Sequence, residues 1–136
     1  GLPRNSIHKY PHEFSGGQRQ RIAVGRAIGI KPEFIIADEP VSALDVTIQS
    51  QILDLIVGLV ERYSITMLFI SHDLSVVRSV TDRVAVMKSG KILENEKTEI
   101  LWRKPKNQYT QNLLRSIPIP DPRKERARLL GRTEQD

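Results

Sequence analysis

The sequence predicts an α/β fold built on a parallel sheet, and two observations point there. Two short apolar runs, "EFIIAD" at 33–38 and "ITMLFI" at 65–70, have the length and composition of buried strands. Between them, Ile48, Ile52, Leu55, Ile56, Leu59 and Val60 recur at helical spacing along one stripe. Strand, helix, strand and a further short helix make the βαβ rhythm of a parallel sheet.

Taken in order, residues 1–13 read as irregular, with prolines at 3 and 11. A helix is expected from about Gln18 to Ile30, closed by Gly29 and then Lys31-Pro32. The 33–38 strand follows. After Pro40 and "SALD", a helix should run from Val46 to Arg62, then the 65–70 strand, then a short helix near 74–81. "RVAVMKSGKILEN" (83–95) reads as a β-hairpin turning at Ser89-Gly90. A short helix near 98–103, with Thr98 as candidate N-cap, ends before Pro105. "QYTQNLLRSIPIPDP" then runs helical and becomes proline-rich, and no internal repeat is present.

Composition bounds the function. The chain has 136 residues, 39% of them hydrophobic, and a mean hydropathy of −0.33, which suits one soluble domain with a modest core. The best apolar stretch, "ILDLIVGLV" at 52–60, is short for a bilayer and is broken by Asp54. No secretory leader is expected at the N-terminus. Cysteine is absent, which excludes disulfides and cysteine metal sites within the chain and favours a cytoplasmic setting. The net charge of +5 is uneven. Residues 1–102 carry 12 basic and 12 acidic side chains, whereas 103–136 carry 9 and 4. A basic tail suits nucleic acid, anionic lipid or plain solvation. "RKERARLLGR" (123–132) holds no aromatic residue, which argues against base stacking.

Three local patterns suit phosphate chemistry. "FSGGQ" (14–18) stands at the start of the first expected helix. A helix N-terminus offers free N–H groups and positive dipole, and paired glycines let a phosphate approach the backbone. Ser15 adds a hydroxyl donor. The plainer alternative is a Ser-Gly capping turn. Asp38 and Glu39 stand where the first strand ends, the edge at which open α/β sheets bind ligands. One acid there suits Mg²⁺ and the other a water that attacks phosphorus, or both are simply solvated. His72, just past the second strand, exits on the same edge, placed to contact a phosphate or to serve structure alone.

Taken together, "FSGGQ", "FIIADEP" (34–40), "SALD" (42–45) and "ISHD" (70–73) resemble the signature, the Walker B strand with its catalytic glutamate, the D-loop and the histidine switch of ABC transporter ATP-binding subunits. Their order and spacing match, and the resemblance covers about residues 10–95. The usual signature begins with Leu where this chain has Phe14. "YPHEFSGGQRQR" and "NQYTQNLLRSIPIPDP" are similar to the oligopeptide/dipeptide/nickel importer subfamily.

The resemblance implies roles by position. Asp38 would bind Mg²⁺, through water, and Glu39 would polarise the attacking water. His72 would contact the γ-phosphate. Ser15, Gly16, Gly17 and Gln18 would close over ATP held by a second, head-to-tail ATPase subunit, with Asp45 at that interface. On this basis a side chain at Gly17 should spoil closure and spare folding. Transmembrane permease subunits would be direct partners and an extracytoplasmic solute-binding protein an indirect one, at the cytoplasmic face of the membrane. No nucleic-acid partner is expected.

The pattern G-x-x-x-x-G-K-[ST] does not occur. The only "GK", Gly90-Lys91, precedes Ile92 in the expected hairpin. The chain therefore reads as the C-terminal portion of a P-loop NTPase whose phosphate loop would precede residue 1, and is inactive by itself. Its sheet should then expose a free edge or a bare apolar surface. Expected boundaries are 1–31 for the end of the helical signature region, 32–104 for the ATPase core and 105–136 for a basic, partly flexible extension. A non-transport ABC ATPase of DNA repair or translation, and a non-catalytic interaction fragment, stay open as alternatives.

Overall fold

A computed structural model describes residues 2–117. The chain divides into two compact units, Gly1–Val80 and Thr81–Asp136. The expected proline-rich and basic stretch at 118–136 lies outside the described residues.

In the first unit, the lead that reads as irregular contains two short 3-10 turns, Arg4–His8 and Pro11–Glu13. Helix α1 spans Gly16–Gly29, starting two residues before the sequence suggests. The reason is a reciprocal cap: the Gln18 N–H donates to Ser15 Oγ at 3.2 Å and the Ser15 N–H to Gln18 Oε1 at 3.0 Å. The helix does end at Gly29, but the residue that turns left-handed is Lys31, with φ 52°.

Strand β1 (Phe34–Asp38), helix α2 (Val46–Tyr63), strand β2 (Thr66–Ile70) and helix α3 (Leu74–Val80) follow. Asp45 caps α2, its Oδ1 accepting from the Ile48 N–H at 3.1 Å. The apolar stripe of α2 faces the core, where Ile52 and Ile56 are buried together with Val41 and Val76. Strands β1 and β2 pair in parallel and in register, from Phe34 opposite Thr66 to Asp38 opposite Ile70.

The sheet departs from the expected double-sided burial. Met67 and Phe69 pack on the core, while Phe34, Ile36, Leu68 and Ile70 on the other face are 52%, 61%, 47% and 43% exposed. The runs are apolar on both faces, as strands covered on both sides are, yet the described residues cover one. Of the two outcomes expected from the sequence, a free edge or a bare apolar surface, the described residues show an uncovered apolar face.

The second unit is a hairpin carrying two helices. Strands β3 (Arg83–Lys88) and β4 (Lys91–Lys97) pair antiparallel, with a register shift at Val86/Met87. Ser89 and Gly90 both have positive φ, 49° and 75°, as a two-residue hairpin turn requires. Helix α4 spans Thr98–Arg103 and α5 spans Gln108–Arg115. Thr98 is not the cap of α4. That position falls to Lys97, and the buried Thr98 hydroxyl donates to the Thr81 carbonyl at 2.7 Å. Glu94 holds the approach to α5, accepting from the N–H groups of Lys106 and Asn107 at 2.8 and 3.1 Å. Partial burial pushes its carboxyl pKa up, but these donors and the Lys106 ammonium outweigh it and leave it lower than that of an ordinary glutamate. Among the described residues, no helix is long and apolar enough to cross a membrane.

Candidate functional site

The in-register parallel pairing brings the C-terminal ends of β1 and β2 to one edge. Just beyond it, the Glu39 N–H donates to the Ile70 carbonyl at 2.9 Å, extending the pairing by one residue. The backbone then turns left-handed at Glu39, with φ 44°. From there Glu39 Oε1 lies 2.9 Å from His72 Nδ1. Both side chains are open to solvent, His72 at 74% and Glu39 at 46%. The imidazole hydrogen bond lowers the Glu39 carboxyl pKa from the ordinary glutamate value, against the small opposing effect of burial. Glu39 is therefore a carboxylate at neutral pH, and an acceptor-only carboxylate fixes the proton of a neutral His72 on Nδ1.

Asp38 sits beside this pair at the last position of β1, opposite Ile70, on the exposed face of the sheet. Among the described residues, no group of three or more His, Asp or Glu side chains could hold a metal ion. Mg²⁺ ordinarily keeps several waters and uses one or two carboxylates plus substrate phosphates. A lone exposed Asp38 fits that pattern and would not form a cage by itself.

The second cluster lies at the start of α1. The Ser15 hydroxyl oxygen and the Gln18 side-chain oxygen are both used in the helix cap, leaving the Ser15 hydroxyl hydrogen and the Gln18 amide hydrogens to donate. A Cβ at Gly16 would stand 3.2 Å from Leu44 Cδ2. At Gly17 it would stand 2.6 Å from Ile48 Cγ2, closer than packed atoms come. The expectation that a side chain at Gly17 spares folding is thereby corrected: Gly17 is bare at least in part because α1 approaches α2 there. Asp45, whose carboxylate caps α2 at this same Ile48, adjoins the contact. The structure thus brings Glu39 and His72 together beside Asp38, and groups Ser15–Gln18 with the start of α2. Ser42, the first residue of "SALD", to which the sequence assigned no role of its own, binds the Glu39 carbonyl through its N–H at 3.3 Å and its hydroxyl at 3.2 Å.

Comparison with known proteins places the chain in a family. The family model "ABC transporter" matches residues 1–42, which include "FSGGQ" and "FIIADEP". The oligopeptide transport ATP-binding protein OppF of Bacillus subtilis is 51% identical over 129 residues, 95% of this chain and 42% of that protein. The chain belongs to the ABC transporter ATP-binding family. OppF of Streptococcus pyogenes serotype M1 is 52% identical over 130 residues, again 42% of its length. A peptide import ATP-binding protein of Brucella ovis is 54% identical over 132 residues, or 96% of this chain and 42% of that one. The chain thus spans about 42% of the length of the relatives it matches. Among solved structures, a dimeric ATP-binding cassette in a post-hydrolysis state, bound to ADP and phosphate, superposes with TM-score 0.62 at 34% identity. It covers 71% of this chain and 41% of that one. The fold is therefore that of part of an ABC ATPase, a P-loop NTPase domain.

Proposed function

We propose that the chain is the C-terminal portion of an ATP-hydrolysing ABC subunit that drives uptake of peptides or related small solutes. The observation that carries this is the 2.9 Å Glu39–His72 hydrogen bond at the strand edge beside Asp38. The names of the relatives, oligopeptide transport and peptide import ATP-binding proteins, support the importer class.

Bound ATP with Mg²⁺ supplies the phosphoryl group and the charge that neutralises its oxygens. Glu39 accepts the proton of the attacking water. His72 orients the Glu39 carboxylate through its Nδ1–H and, as the imidazolium, which carries a proton on both ring nitrogens, donates from Nε2 to phosphate. Asp38 would hold Mg²⁺ through water, and the ion would supply charge to the phosphate oxygens. The α1 N-terminus, with Ser15, Gly16, Gly17 and Gln18, closes over nucleotide in the opposing ATPase subunit, and Asp45 lies at that interface. Permease subunits receive the motion at the cytoplasmic face of the membrane, and a solute-binding protein acts through them. The boundaries 1–31, 32–104 and 105–136 complete the proposal. Nothing observed favours a role in DNA repair or translation, or one without catalysis.

Affinity capture of the full-length subunit tests the transport assignment. It should retain membrane permease subunits from detergent-solubilised membranes. Retention of ribosomes or DNA instead would refute it.

A further inference from the structure

We propose that Ser42 is a positioning residue for Glu39, an inference that rests on the functional reading above. Glu39 adopts a left-handed backbone, φ 44°, which non-glycine residues rarely occupy without outside support. Both of its peptide groups are tied. The N–H donates across the edge to the Ile70 carbonyl at 2.9 Å, and the carbonyl accepts from the Ser42 N–H at 3.3 Å and the Ser42 hydroxyl at 3.2 Å. The Ile70 bond anchors one side of the residue to β2. The Ser42 bonds anchor the other to the loop before α2, and so set the direction in which Cβ leaves the chain. That direction brings Oε1 to 2.9 Å from His72 Nδ1. Ser42 is itself exposed, so its hydroxyl acts on this turn and not on the core.

The test reads the pairing without nucleotide. In the 15N-labelled chain at about pH 8, an ordinary imidazole is neutral, and its ring nitrogen shifts report which nitrogen carries the proton. Wild type should place it on Nδ1. Ser42→Ala should lower the ratio of Nδ1–H to Nε2–H about three- to tenfold, the worth of one hydrogen bond, and Ser42→Thr should restore it. In the full-length subunit, Ser42→Ala should lower kcat by a similar factor with the KM for ATP unchanged. An unaltered tautomer ratio in Ser42→Ala, with or without a lower melting temperature, overturns the proposal and leaves the Glu39–His72 pair standing. A wild-type ring protonated on Nε2 overturns the pairing and with it the functional reading.

Discussion

Glu39→Gln in the full-length subunit is expected to lower kcat for ATP hydrolysis by about 10²–10⁴-fold, the usual contribution of a general base, while ATP binding persists. The amide preserves the shape of the side chain, and its oxygen still accepts from His72 Nδ1. It does not accept the proton of a water. Because the His72 bond lowers the Glu39 carboxyl pKa from that of an ordinary glutamate, the wild-type acid limb of kcat from this group should be displaced toward lower pH, with Glu39 active on the alkaline side of it. The ATP-bound dimer should accumulate in the variant, since hydrolysis no longer opens it. Near wild-type kcat in Glu39→Gln would remove Glu39 from the role of base.

The second large effect concerns Gly17, where packing and ligand arguments overlap. Gly17→Ala should destabilise the fold by about 1–3 kcal/mol, because the new methyl meets Ile48 Cγ2 in a well-packed contact. In an Ile48→Ala background that penalty should largely vanish, since the clashing atom is gone. The same background separates crowding from charge. If a γ-phosphate from the opposing subunit docks at this helix start, Gly17→Asp sets two negative charges about 4 Å apart. That costs roughly 4 kcal/mol at an effective dielectric near 20, close to a thousandfold in ATP-dependent dimerisation. Gly17→Ala in the same background carries no such charge and should dimerise far better. Equal dimerisation of the Asp and Ala forms would assign the paired glycines to helix packing alone.

The elements were legible where local chemistry decides them. The Ile52–Ile56 stripe announced α2 and its buried face, and Ser89-Gly90 announced a turn that needs two left-handed residues. The placement of Asp38, Glu39 and His72 on one edge followed from parallel pairing, which the βαβ rhythm implies. Long-range contacts were not legible. Ile48 was expected to face inward, but nothing local says that its branch fills the space above Gly17. The left-handed turn at Glu39 also lacked a signal, since glutamate is not a residue that favours it and its supports come from Ile70 and Ser42. Thr98 shows the same limit. A threonine before a short helix reads as a cap, whereas here its hydroxyl serves a contact with Thr81. Strand burial was misjudged on one face because apolar runs record the cover that strands require, and the described residues supply half of it.

The central claim is that these residues are one part of a divided ATPase site. Its most direct test is phosphate release from ATP, measured for the 136-residue chain alone and for the same chain joined to an N-terminal portion carrying a Walker A phosphate loop. The expected result is no measurable turnover by the chain alone, which has no lysine and amide cradle for the β- and γ-phosphates, and clear turnover once joined. Robust turnover by the chain alone, blocked by Glu39→Gln, would contradict the claim, as would a joined protein that binds ATP without hydrolysing it.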